Sequence, residues 1–122
     1  MIKVLIVDDS LTSRLINRTM IAKHPGYEVV SAQNGLEGLH MVVSEKPDLI
    51  LLDVMMPGID GFEVCRRLRK DGCPAAIPIV LLTFRISDDA VRTGFESGCT
   101  AYLKKPVQEL ELMTTLQHCL QL

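Results

Sequence analysis

The chain has 122 residues, enough for one substantial core and too few for two, so a single domain over 1–122 is expected. Apolar residues make up 48% and aromatic ones 4%, which demands an aliphatic core, and the net charge of −2 comes without the basic patch that direct nucleic-acid binding requires. No run of about 18 apolar residues and no signal-peptide pattern is present, which predicts a cytoplasmic protein without membrane insertion.

In chain order, Ile2 to Val7 is an aliphatic run broken only by Lys3, and it ends in Asp8-Asp9-Ser10. The helical segment that follows carries Ile16, Met20 and Ile21 at core-stripe spacing, with Leu11 and Leu15 projecting off it. Tyr27 to Ala32 mixes in Glu28 and Ser31 and reads as an edge strand. Asn34 with Glu37, and later Asp60 with Glu63, have capping-box spacing at helix starts. Asp48 to Leu52 and Ile77 to Leu82 are unbroken apolar runs, the pattern of strands buried on both faces of a parallel sheet. The first leads into Asp53 and the second into Thr83. Ser87 before Asp88 and Asp89 places a cap and two acids at another helix start. Thr100 to Lys104 is a short edge-type strand running into Lys105-Pro106. In the last helix Leu112, Leu116 and Cys119 form the core stripe, and Leu110 falls outside it. Gly26, Gly72 and Gly98 follow helical stretches, where a left-handed residue ends a helix.

Strand and helix thus alternate five times. Right-handed crossovers give a flavodoxin-like, doubly wound α/β fold: a five-stranded parallel sheet of order 2-1-3-4-5 with five helices. Function in such a sheet sits at the carboxyl ends of the strands. Those ends carry Asp8 and Asp9, Asp53, Thr83, and Lys104-Lys105-Pro106. Each feature alone is ordinary: an Asp pair caps helices, and a Lys-Pro pair makes turns. Brought to one edge, three carboxylates repel unless they protonate, separate or take a cation, and an all-oxygen site suits Mg²⁺.

Other chemistries of this fold lack their residues. The turn after the first strand is Val7-Asp8-Asp9-Ser10, without the glycines of a dinucleotide or phosphate loop. His24, His40 and His118 fall on helices or at their ends and read as surface residues, away from any nucleophile. Cys65, Cys73, Cys99 and Cys119 have neither CxxC nor zinc-finger spacing and read as reduced thiols.

Four stretches together resemble the receiver domains of bacterial two-component response regulators. They are Val7 to Ser10, Leu51 to Gly61 (with Asp53-Val54-Met55-Met56-Pro57-Gly58), Val80 to Thr83, and Ala101 to Pro106, in matching order and spacing. The resemblance implies that Asp53 is the phosphoacceptor and that Asp8 and Asp9 hold Mg²⁺. Asp9 and Asp53 would be direct ligands, Asp8 would act partly through water, and the Met55 backbone carbonyl would complete the set. It implies that Lys105 neutralises phosphoryl charge, that the Lys105-Pro106 bond is cis, and that Thr83 and Tyr102 form a switch pair. Phosphorylation would then remodel the surface of the fourth helix, fifth strand and fifth helix for a downstream protein partner, with a phosphorylation-dependent dimer as a further option. The donor would be a histidine kinase or histidine phosphotransfer protein, docking on the first helix, where Leu11 and Leu15 would form an apolar patch. Such a protein is a switch that transfers phosphate to itself rather than a turnover enzyme.

One departure stands out. The residue after the switch threonine is usually small in this family, and here it is Phe84. Either its ring hinders phosphodonors and attacking water, with Met55 and Arg85 flanking, and the phosphoryl-aspartate decays slowly, or it packs against the surface and changes little. Two functional settings compete: a self-contained phosphorylated binding module, the favoured reading, and the N-terminal input domain of a larger regulator with a DNA-binding or enzymatic output. A pseudo-receiver is disfavoured by the intact Asp8, Asp9, Asp53, Thr83 and Lys105 set. An aspartate-nucleophile phosphatase would want D-x-D in place of Asp8-Asp9.

Overall fold

The computed structural model describes residues 1–71 and 77–121. Among them are the strands β1 (Ile2–Val7), β2 (Tyr27–Ala32), β3 (Leu49–Asp53), β4 (Ile79–Thr83) and β5 (Ala101–Lys104). The helices are α1 (Leu11–Ala22), α2 (Gly35–Glu45), α3 (Gly61–Lys70), α4 (Asp88–Glu96) and α5 (Glu109–Leu120). All strand pairs are parallel and the order is β2-β1-β3-β4-β5. The two unbroken apolar runs, β3 and β4, are buried along their whole length, while β2 and β5 are largely half-exposed, as edge strands with mixed sequence should be.

Alternation within each strand divides the core into two layers. Leu5, Val7, Ile50, Leu52, Ile79 and Leu81 pack with Val42 of α2 and Val64 and Leu68 of α3. Val4, Ile6, Leu49, Leu51, Val80 and Leu82 pack with Ile21 of α1 and Leu112, Met113 and Leu116 of α5. α4 lies on the first side, where Gly94 comes so close to Tyr102 that a Cβ would stand 2.8 Å from the ring.

Helix starts are fixed by side chains that accept an amide hydrogen bond: Ser10 from Ser13, Asn34 from Glu37, Asp60 from Glu63 and Ser87 from Ala90. At α3 the reciprocal half of the capping box is replaced, because the Glu63 carboxylate pairs with Arg66 and Arg67 instead. Gly26 and Gly98 adopt positive φ as expected, whereas Gly72 and Cys73 lie outside the described residues.

The expected core stripe of α1 holds at Ile21 and at Met20, which packs at the core margin, and needs correcting at Ile16. Ile16 is 54% exposed, alongside Leu11 and Leu15, and it is Asn17 that is buried, together with Ile21. Asn17 and Ile21 are one turn apart and define the inward face, and Ile16 lies about 100° around the helix from Asn17. On α5, Leu112 and Leu116 are fully buried, Cys119 packs at the core margin, and Leu110 is exposed. Cys65, Cys99 and Cys119 are thiols. His40 and His118 are exposed, whereas His24 is half-buried with Nε2 3.2 Å from Glu109 Oε2. No helix among the described residues is long and apolar enough to cross a membrane.

Candidate functional site

The parallel sheet delivers Asp8, Asp53, Thr83 and Lys105 to one edge, and all four are buried. Asp8 prolongs β1, its amide donating to Ala32 O at 3.1 Å. Lys105 prolongs β5, its amide donating to Thr83 O at 2.6 Å, and the Lys105-Pro106 bond is cis. Asp53 closes β3, and the turn behind it is fixed by Gly61. A Cβ there would overlap the Asp53 carbonyl oxygen, and the Gly61 amide donates to Val54 O at 2.9 Å.

Lys105 sits between two carboxylates. Its Nζ is 2.9 Å from Asp8 Oδ2 and 3.1 Å from Asp53 Oδ1. The other oxygen of Asp8 accepts from the Ser10 amide at 2.9 Å, so both of its oxygens are engaged. Asp53 Oδ2 accepts no hydrogen bond from the described residues. It is not sealed off either, since the side-chain N or O atom both buried and unpartnered among them is Tyr27 Oη. Asp9 is exposed at the rim. One carboxylate oxygen each from Asp8, Asp9 and Asp53 lie within 4.8 Å of one another.

Three carboxylates therefore face one ammonium. Burial pushes the Asp53 carboxyl up to about 6; the nearby Lys105 charge opposes this, and the charges of Asp8 and Asp9 add to it. Lys105 is itself raised: burial would lower it, but the hydrogen bond to Asp8 and the charges of Asp53 and Asp8 outweigh that effect. The donor set is all oxygen and carries excess negative charge, which fits a hard divalent cation.

Thr83 and Tyr102 meet at the main chain of Arg85. Thr83 Oγ1 accepts from the Arg85 amide at 3.1 Å, and Tyr102 Oη donates to the Arg85 carbonyl at 3.3 Å. Tyr102 is half-buried, and burial raises its hydroxyl while the nearby Thr83 hydroxyl opposes this. Met55 and Phe84 follow β3 and β4 with side chains 62% and 67% exposed. The face of the Phe84 ring is turned toward Lys105, whose Nζ lies 5.6 Å from the ring centroid. Lys104 is exposed.

Two supports went unread in the sequence. Arg14 Nη1 donates to Asp8 O at 2.7 Å, and the Ser10 amide anchors the Asp8 carboxylate. An arginine on a helix ordinarily reads as a solvated face, so Arg14 left no signal. Ser10 was visible only as the residue closing the Asp8-Asp9 turn.

The sequence pattern of the family described as "response regulator receiver domain" matches residues 4–117. PilH of Pseudomonas aeruginosa is 40% identical over 116 residues, 95% of either chain. The transcriptional regulatory protein AfsQ1 of Streptomyces coelicolor is 52% identical over 83 residues, and the response regulator PleD of Caulobacter vibrioides 40% over 116. This chain spans 36% of the length of AfsQ1 and 25% of that of PleD. Among solved structures, the chemotaxis protein CheY4 of Vibrio cholerae superposes with a TM-score of 0.91 at 35% identity, covering 98% of both chains. With its sheet order, strand-end carboxylates and whole-length similarity in agreement, the chain belongs to the response regulator receiver domains of two-component systems.

Proposed function

We propose that this receiver domain is a phospho-accepting switch. Asp53 takes a phosphoryl group from a histidine kinase or histidine phosphotransfer protein. The observation that carries the reading is the state of Asp53: Oδ1 is tied to Lys105, while Oδ2 carries no hydrogen bond among the described residues. A carboxylate oxygen so placed can attack phosphorus. As the new P–O bond forms, the P–N bond to the donor imidazole breaks and the ring nitrogen keeps the electron pair. The transition state spreads negative charge over the phosphoryl oxygens, and Lys105 Nζ is the buried cation beside it.

Asp9 and Asp53 would hold Mg²⁺ directly, with Asp8 acting partly through water and the Met55 carbonyl as a further ligand. The cation would supply neutralising charge to the phosphoryl oxygens. The two engaged oxygens of Asp8 suit an outer role. Arg14 and Ser10 hold the Asp8 turn in place.

The Thr83 hydroxyl would then leave the Arg85 amide for a phosphoryl oxygen. Tyr102 is bonded to the carbonyl of the same residue, so the change reaches β5 and the α4 surface packed on it. In this reading the chain is a cytoplasmic switch rather than a turnover enzyme, acting on a protein partner rather than on nucleic acid. The near-complete overlap with PilH favours a self-contained module. The partial overlap with AfsQ1 and PleD favours the second setting, an input domain of a larger regulator.

Incubation with acetyl phosphate and Mg²⁺, read by intact mass, tests the proposal. One phosphoryl group should appear on the wild type and none on Asp53→Ala; equal labelling of the two would refute it. Thr83→Ala should still accept phosphate but lose the chemical-shift changes at Tyr102 that beryllofluoride induces in the wild type.

A further inference from the structure

Lys105 carries three ammonium hydrogens, and two of its directions are taken by Asp8 at 2.9 Å and Asp53 at 3.1 Å. Phe84 occupies a third. Its ring centroid lies 5.6 Å from Nζ, within the roughly 6 Å over which the face of a ring attracts a cation. Phe84 is 67% exposed, so burial of apolar area accounts for only part of what holds the ring there. It follows directly on Thr83, which pairs with Lys104 in the sheet and accepts from the Lys105 amide at 2.6 Å, so Phe84 and Lys105 stand side by side just beyond the strand ends.

The contact matters because the carboxylate partners change when the acceptor reacts. As Asp53 shares an electron pair with phosphorus, its charge passes to the phosphoryl oxygens. The ammonium must stay at the mouth of the site to meet that charge. A four-carbon stem is flexible, and with Asp53 neutralised Asp8 alone would draw Nζ to its own Oδ2, 2.9 Å away. A neutral ring face keeps its attraction whatever the charge on Asp53.

We propose that Phe84 is a positioning residue for phosphoryl transfer: its ring face holds the Lys105 ammonium beside Asp53. The inference rests on Asp53 being the acceptor, and it goes beyond that reading by giving the aromatic ring a task other than shielding.

Phosphoramidate is a suitable donor, because it is small and needs no docking surface. Its P–N bond breaks as the bond from Asp53 forms, and the amine leaves as ammonia. Labelling rates of wild type, Phe84→Leu and Phe84→Tyr should be compared with Mg²⁺ present. Leucine keeps apolar bulk without a π face, and tyrosine keeps the face. Phe84→Leu should label roughly twofold to fivefold more slowly, the range for a partly exposed cation–π contact, and Phe84→Tyr should match wild type.

The second readout needs neither metal nor donor. The Lys105 ε-methylene protons should be shifted upfield by the ring in wild type and Phe84→Tyr, and should return to ordinary values in Phe84→Leu. A Phe84→Leu rate equal to wild type would overturn the proposal. A faster rate would overturn it too, and would make Phe84 a steric barrier. Wild type that takes no label at all would instead remove the acceptor reading, and this role with it.

Discussion

The two ends of the sheet each gather acids around a lysine, and they differ in what the lysine can neutralise. At the amino end, Lys3 Nζ lies 3.2 Å from Glu45 and 3.6 Å from Glu28, and the Lys3 amide takes Asp48 Oδ2 at 2.8 Å. These side chains remain open to solvent, so water shares the work of screening. At the carboxyl end, Lys105 joins Asp8 and Asp53 in a place where the three side chains are 7% exposed or less. Asp9 adds a third carboxylate at the rim. Charge is common at both ends. Buried charge with an unbalanced sign occurs at one, and that excess is what a cation and a phosphoryl site can use.

The comparison can be broken by removing each lysine in turn. Lys105→Met should lower stability by about 3 kcal/mol in urea unfolding at pH 8, because two buried carboxylates lose their partner. Lys3→Met should leave the urea midpoint nearly unchanged, since its pairs are at the surface. Similar losses at both ends would erase the distinction.

Asp53→Asn sharpens it from the other side. The Asp53 carboxyl is raised by burial to about 6 from an ordinary 3.8, so its ionised form costs stability. The stability linked to this group is complete below pH 3.8 and is lost as pH rises through about 6. In metal-free protein at pH 8, Asp53→Asn should therefore be more stable than wild type by about 3 kcal/mol, the Lys105 ion pair being already included in the net rise to about 6. The advantage should shrink as pH falls through 6 toward 4. The smallest effect is on the cation: in the proposed site Mg²⁺ would have to displace the Asp53 proton, so affinity measured calorimetrically should weaken as pH drops below about 6. A flat profile from pH 8 to 5 would contradict the raised carboxyl.

Much of this was legible in the sequence because the signals were local and repeated. Unbroken apolar runs gave β3 and β4 as central strands and mixed ones gave β2 and β5 as edges, and β3, β4 and β5 each ran into a residue that lines the site. Asp8, Asp53 and Lys105 were predictable as neighbours because a parallel sheet leaves its carboxyl ends no other place to go. What periodicity misread on α1 was Ile16, which is exposed beside Leu11 and Leu15 while Asn17 takes the inward position. The stacking of Phe84 on Lys105 was hidden for a different reason: the residues are 21 apart in sequence, and side-chain direction at a strand end is not encoded by pattern. Arg14 escaped notice because its partner is a backbone carbonyl, which any residue has.

The most direct test of the unbalanced-charge account is to locate the phosphate and its metal requirement together. Wild-type protein would be treated with acetyl phosphate with and without Mg²⁺, reduced with borohydride, and sequenced by tandem mass spectrometry. The account predicts homoserine at position 53 alone, and only when Mg²⁺ is present. Label at Asp8 or Asp9, or equal conversion of Asp53 without the cation, would contradict it.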